Sequence, residues 1–163
     1  MLEWHNAKTQ VHRSNLSVFR CASPEAATWD EEEEVYHHDF PWEIEVQEHF
    51  NGISVPAHRP EFLLVGYDGD TLVAVIELRV TEFERHCFIA AVAVAHAYSG
   101  NGLAGEAIDL AQRVMAKYGI TSDFVVEALI DRDNYAAQSA FGKRGFEEVG
   151  ARNGYQVWAR LFA

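Results

Sequence analysis

Apolar and polar positions change period several times along this chain, and each change predicts an element. Leu16 to Arg20 alternates and reads as a first strand. Ser23-Pro24 before Glu25 has the form of an N-cap with proline in the first turn, which predicts a helix from that point. Pro41 to Phe50 predicts a second helix, stopped at Asn51-Gly52. Phe62 to Tyr67 and Thr71 to Val80 are β-rich runs joined by Asp68-Gly69-Asp70, a strong hairpin signal. Cys87 to Val94 is nearly continuous in apolar residues, as a central strand buried on both faces would be.

Beyond it the period lengthens. Leu103, Ala107, Leu110, Ala111, Val114 and Tyr118 fall on one helical stripe that Gly119 ends. Phe124 to Ile130 reads as another buried strand, and Asn134 to Arg144 as a short helix stopped by Gly145. Phe146 to Val149 and Tyr155 to Leu161 close the chain as strands around Asn153-Gly154. A hairpin-rich first half feeding a single β-α-β-α unit predicts one α/β domain over residues 1–163: a mixed sheet with helices on both faces.

Composition narrows the function classes. The chain has 163 residues, enough to bury a core, and 48% are apolar. No apolar run has the length of a membrane span, and the first twenty residues lack the apolar centre of a signal peptide. Cys21 and Cys87 are the only cysteines and have no ligand spacing around them, so neither a disulfide framework nor a zinc site is expected, and a cytoplasmic location is. A net charge of −12 argues against nucleic acid as partner. From Cys21 to Phe50 there are ten acids and no Lys or Arg. The run Glu31 to Glu34 within it predicts a loop or a solvated helical face. Trp29, Tyr36, Trp42 and Phe50, interleaved with these acids, read as an amphipathic helix pair on the sheet. His37, His38, Asp39 and His49 invite a metal reading, but adjacent side chains point apart and a surface role is expected instead; no metal is expected.

The chemistry concentrates between the long strand and the helix. Ser99, Gly100, Asn101, Gly102, Leu103, Ala104 and Gly105 place glycines where helix N–H groups are unpaired, so the segment suits an anion. It also suits a tight strand-to-helix turn. Glu106-Ala107 stands where a P-loop needs Lys and Ser or Thr, which excludes that motif. Gly100, Gly102 and Gly105 satisfy G-x-G-x-x-G, but Ala95 to Ser99 separates them from the strand and too little chain follows for a dinucleotide fold.

Val92-Ala93-Val94, a short turn, then Ser99-x-x-Gly102-x-Ala104 opening a helix resembles the core motif of the GNAT superfamily of N-acetyltransferases. Ser99 replaces the usual Arg or Gln. Asn134, Ala137, Phe141 and Gly145-Phe146 are similar to a second motif of that family at its spacing. The resemblance runs from about Phe62 to the C-terminus. It implies a mostly antiparallel mixed sheet of six to seven strands with about four helices on both faces. It also implies acetyl-CoA as co-substrate and an amine as acceptor, attacked directly in a ternary complex, and leaves room for a homodimer. The backbone of Val92, Ala93 and Val94 would bind the pantetheine arm, with an N–H near Val94 facing the thioester oxygen. Residues Gly100 to Gly105 would hold the pyrophosphate, and Asn134 the arm or, as an N-cap, its own helix.

Relatives supply the leaving thiolate's proton from a Tyr where this chain has Phe141. They place a base where it has Phe88, Ala90 or Leu129. His86 and Glu127 share strand parity with those positions and are the candidate base residues. An Arg-paired structural carboxylate, a solvated His86 or a water chain to a more distant acid stand as alternatives. A non-catalytic CoA-binding domain and a module for basic proteins are the competing functions.

Overall fold

The computed structural model describes residues 1–7, 16, 19–53 and 62–162. Its main sheet has seven strands in the order β1-β4-β5-β6-β7-β9-β8. They are β1 (Glu3–Asn6), β4 (Phe62–Asp68), β5 (Thr71–Thr81), β6 (His86–Val94), β7 (Val125–Ile130), β8 (Glu147–Arg152) and β9 (Tyr155–Leu161). Every neighbouring pair is antiparallel except β6 with β7. A two-stranded sheet of β2 (Ala27–Asp30) and β3 (Val35–His38) stands apart from it. Three α-helices complete the described residues, α1 (Pro41–Asn51), α2 (Leu103–Lys117) and α3 (Tyr135–Gly142).

The meander forms as its turn residues dictate. Gly69 takes a positive φ of 58° between Asp68 and Asp70, and Asp68 pairs with Thr71 across the hairpin. β5 is the most deeply buried strand: Val73, Ala74, Val75, Ile76 and Leu78 are almost inaccessible. Parity along it divides the core. Ile76 and Leu78 pack with Ile108, Ala111 and Met115 of α2, and with Phe141 and Phe146. Val75 packs on the opposite face with Val65, Ala93, Leu16, Phe19 and Phe50, the last from α1. Helices therefore cover both faces, as expected.

Several expectations need correction. The helix foreseen at Ser23 is the hairpin β2–β3. Ser23 does use its hydroxyl as a cap would, accepting from Glu25 N–H at 3.3 Å, but the chain closes a turn there (Ala26 N to Ser23 O, 3.3 Å) and enters a strand. Glu31 to Glu34 form the exposed hairpin turn, a loop rather than a helical face; Asp30 Oδ1 accepts from the N–H groups of Glu32 and Glu33 at 2.9 and 3.0 Å. Hence three α-helices stand where about four were expected. The Trp29 and Tyr36 rings are not on a helix pair; they meet edge to face across the hairpin, 4.9 Å apart. In the strand expected from Leu16 to Arg20, Ser17 and Val18 lie outside the described residues. Leu16 and Phe19 are buried and joined by a turn bond of 3.0 Å, and Phe19 and Arg20 are in no strand.

The strand β1 carries no strong sequence signal. It is held by Trp4, which lies over Gly66 so closely that a Cβ there would meet the indole at 3.1 Å. The indole N–H donates to Glu106 Oε1 at 3.0 Å.

Candidate active site

β6 and β7 are paired only from His86 with Val125 to Ile89 with Ala128, although β6 continues to Val94 and β7 to Ile130. The strands part, and the edge of residues 90–94 facing β7 has no ladder partner. Backbone N–H and C=O groups on such an edge are a template for an extended ligand. On the other side of β6, the partner of Glu77 is Ala91 and that of Leu78 is Ile89, so Ala90 is one residue too many. This bulge lies where the strands separate, and bulges re-aim side chains. It also explains why β6, apolar from Cys87 onward, is only half buried: the opening exposes it.

A 3-10 turn (His96–Tyr98) leads from β6 to the glycine segment. Gly100 and Gly102 have φ of 81° and 73°, and a Cβ on either would meet nothing within 4 Å. Both glycines are needed for backbone conformation and both face open space. Gly102 is the N-cap of α2 and contributes no side chain; the first helical bond runs from Glu106 N–H to Gly102 O. The N–H groups of Leu103, Ala104 and Gly105 thus precede the ladder and, with the helix dipole, present partial positive charge. Gly105 has a different reason to be glycine. The guanidinium of Arg144 lies against its Cα, where a Cβ would overlap it. That guanidinium is held by Asp109 (2.7 and 3.0 Å) and by Ala140 O (2.9 Å).

A cavity of about 820 Å³ fills the gap between β6 and β7. Its wall includes residues 88–94 of β6, Ser99, Gly100, Gly102, Leu103, Ala104, Gly105, Asn134, Phe141, Lys143 and Arg144. Asn101 is not on that wall; its amide donates to Tyr98 O at 3.0 Å. Asn134 caps α3, accepting from Ala137 N–H at 3.1 Å, and lines the cavity as well. Phe141 closes the floor, packed edge to face on Phe146 at 5.0 Å. On the opposite face of the sheet the wall is α1, whose Trp42, Glu45, Val46 and His49 form one helical stripe, with Glu43 to one side of it.

Residues 23–146 match the model of the acetyltransferase (GNAT) family. The chain belongs to the GNAT family. No curated protein sequence matches it. Among solved structures, the PaiA N-acetyltransferase of Thermoplasma acidophilum in complex with coenzyme A is similar in fold. It is 14% identical, with a TM-score of 0.68 over 99% of each chain. The ribosomal-protein-S18-alanine N-acetyltransferase of Escherichia coli is 12% identical, with a TM-score of 0.64 over 100% of this chain and 95% of that one. The spermidine/spermine N-acetyltransferase SpeG of Vibrio cholerae is 17% identical, with a TM-score of 0.62 over 99% and 95%. The chain is accordingly an acyl-CoA N-acetyltransferase by family. The free β6 edge, the two open glycines and the unpaired N–H groups fit the arm and the pyrophosphate of CoA.

Several ionisable groups of this GNAT domain lie on the α1 face. Glu127, the first of the two expected base residues, is buried on β7 and accepts from Arg152 Nη1 at 2.6 Å. His86 Nε2 lies 3.7 Å from its other oxygen. The two are therefore brought together, but neither is on the cavity wall. Sequence reasoning passed over three other groups. Tyr155 on β9 donates to Glu45 at 2.5 Å, a bond that, with burial, raises the phenol's pKa. Cys21, on the wall, is a thiol pushed up to about 12 by burial and then by the charge of Glu43, so it is no nucleophile. Glu77 is a buried carboxylate, 4% exposed, within the apolar run of β5. Its oxygens are 2.8 Å from His49 Nε2 and 2.9 Å from Arg79 Nη2.

His37, His38 and His49 do not converge. His37 pairs with Glu33 at 3.1 Å, His38 Nε2 lies 2.9 Å from Ser23 O, and His49 turns to Glu77. Asp30, Glu33 and His37 have ligand-type atoms within 4.8 Å of one another, a grouping that the exposed hairpin turn produces.

Glu43 carries a cost that a purely structural residue would not. Its Oε2 is buried without a hydrogen-bond partner, and burial raises its pKa above the ordinary carboxylate value, against the opposing effect of His38 and His96. A raised carboxyl favours the fold while protonated, and that contribution is lost as pH rises through the folded-state pKa. Glu43→Gln is therefore expected to raise the melting temperature at neutral pH, with the gain closing towards acid. Thermal melts of both proteins between pH 4 and 8 check this; a lower melting temperature for the variant at neutral pH would show that the ionised carboxylate stabilises the fold.

Proposed function

We propose that the chain transfers the acetyl group of acetyl-CoA to a primary amine that carries further positive charge, a cationic small molecule or peptide, by direct attack within a ternary complex. The observation that carries this reading is the charge division of the cavity. Lys143 and the α2 N-terminus line it on one side, with Arg144 there tied to Asp109, and Glu43 and Glu45 of α1 line the other. A phosphate-bearing co-substrate suits the first face and an ammonium the second. The backbone of Val92, Ala93 and Val94 takes the arm, the N–H groups of residues 100–105 take the pyrophosphate, and Asn134 and Phe141 border the arm. The similarity in fold to an enzyme named for spermidine and spermine is in keeping with such an acceptor.

The acidic turn belongs to a hairpin whose β3 packs against α1 and adds to the negative charge there, and like charges of this kind concentrate and steer cations. A thiol-release assay over polyamines, Lys-rich peptides, aminoglycosides, neutral amines and amino acids tests the proposal. Polycations are expected to be turned over best. Their kcat/KM should fall steeply as salt approaches ~1 M, where the Debye length is about 3 Å. Replacing Glu31 to Glu34 by Gln should flatten that dependence. Preferred turnover of neutral or acidic amines would overturn the acceptor class. An unchanged salt profile in the four-Gln protein would reduce the turn to a solubilising feature.

A further inference from the structure

Glu77 is out of place on β5 unless it has work to do. Its neighbours Val73 to Leu78 are apolar and almost inaccessible, and an ionised carboxylate among them costs several kcal/mol unless it is paired and hydrogen-bonded. It is paired twice. Arg79 Nε and Nη2 approach Oε1 at 3.0 and 2.9 Å, and His49 Nε2 approaches Oε2 at 2.8 Å. Burial pushes this carboxyl up, but the bonds and charges of His49 and Arg79 outweigh it and hold the group below the usual value. Glu77 is therefore ionised, an acceptor only, and the ring nitrogen facing it must carry the proton. That fixes the tautomer: Nε2–H donates to Glu77, and neutral His49 keeps its lone pair on Nδ1. Among the described residues no hydrogen bond to Nδ1 is present. His49 is on the cavity wall, on the same helical stripe as Glu45.

We propose that His49, oriented by Glu77, is the base that takes a proton from the acceptor ammonium; this rests on the acetyl-transfer reading above. The placement suits the task. Glu77 is paired with Ala91, the residue after the bulge at Ala90, so the dyad stands over the point where β6 turns away from β7. Nδ1 of His49 accepts one proton from R–NH3⁺, giving R–NH2 and an imidazolium that the Glu77 carboxylate stabilises. The amine lone pair then forms the C–N bond as the C–S bond of the thioester breaks, and the second amine proton goes to the departing sulfur. The imidazolium returns its proton to water. His49 is the catalytic residue here; Glu77 is a positioning residue. The charged and titratable groups on this side are Arg79 on β5, bonded to Glu77, Glu43 and Glu45 on α1, Tyr155 on β9, bonded to Glu45, and His96, which with His38 acts on Glu43. Of the β6 residues on this wall, Ala91 and Ala93 bring no charge.

The test uses the intact protein with a triamine acceptor. In wild type, log kcat/KM rises with pH and levels off once the imidazole is neutral. His49→Gln should lower kcat/KM by about 10²-fold or more at neutral pH. Its profile should keep a unit slope up to the amine's own pKa, so the deficit shrinks as pH rises. Calorimetric affinity for CoA should not change. Glu77→Gln should show a smaller loss. A readout free of turnover is the ¹⁵N spectrum of the neutral His49 ring, which should report the Nε2–H tautomer. An Nδ1–H tautomer overturns the proposal whatever the kinetics. So does a His49→Gln protein with the wild-type profile, or a comparable loss confined to Glu127→Gln, which would move the base to the Glu127–His86 pair. If wild type turns over no amine at all while binding CoA, the acetyl-transfer reading falls and takes the base with it.

Discussion

Glutamate in place of Gly102 is expected to abolish acetyl-CoA binding in a protein that still folds. Gly102 is the N-cap of α2 at φ 73°, in the left-handed region, and a Cβ there meets no atom within 4 Å. The substitution therefore strains the backbone without a clash, at a cost of about 1–2 kcal/mol, which a domain of ordinary stability survives. What it does to the ligand is larger. A carboxylate would stand before the free N–H groups of residues 103–105, occupying their donors and opposing a pyrophosphate by like charge. Gly102→Ala carries the same strain with no charge and should keep most of the affinity. Calorimetry with acetyl-CoA compares the three proteins. An unchanged affinity in the folded Glu variant would remove the anion site from α2, and with it the assignment of residues 100–105.

The parts of the site that local chemistry dictates were legible in the sequence. A strand followed by Gly100-x-Gly102 and a strong amphipathic stripe can be met in few ways, and the positive φ values at both glycines are what that spacing implied. Pro41 and Asn51-Gly52 bracketed α1 for similar reasons. The hairpin β2–β3 was misread because Ser23-Pro24-Glu25 offers the same hydroxyl-to-N–H bond to a turn as to a helix start. What decides between them is cross-strand: the Trp29–Tyr36 contact and the Thr28 hydroxyl's bond to Asp39 at 2.6 Å, neither of which the local Ser-Pro-Glu signal contains. Gly105 was read as part of the anion cradle, and the structure adds a reason for glycine there that the sequence does not show: it packs under Arg144, thirty-nine positions away in sequence.

The base candidates teach the same lesson from the other side. His86 and Glu127 were chosen by strand parity, and parity did put them together, 3.7 Å apart. Parity says nothing about Arg152, which reaches Glu127 from β8 and engages one of its oxygens. The signal that pointed to the other pair was present and unused: a single carboxylate inside the apolar run Val73 to Leu78. Such a residue must find partners in the fold, and His49 and Arg79 are those partners.

The separation of the core into two clusters gives the last prediction. Phe50 is fully buried in the cluster beneath α1, with Leu16, Phe19, Val65, Val75 and Ala93, and takes no part in the cluster that supports α2 and α3. Phe50→Ala should cost about 3–5 kcal/mol, a lost transfer free energy plus a cavity that the sheet cannot collapse to fill. Against a total of about 5–15 kcal/mol this is a large fraction, visible as a drop in melting temperature. The loss should also be one-sided in function. Residues 100–105, Asn134 and Phe141 rest on the other face, so CoA affinity measured well below the new melting temperature should stay near wild type. The acceptor face moves with α1, which carries Glu43, Glu45 and His49, so kcat/KM for the amine should fall while KM for acetyl-CoA holds. Equal losses in CoA affinity and amine turnover would mean that the two faces are not energetically separable. A melting temperature within a degree of wild type would mean that α1 is not anchored by Phe50.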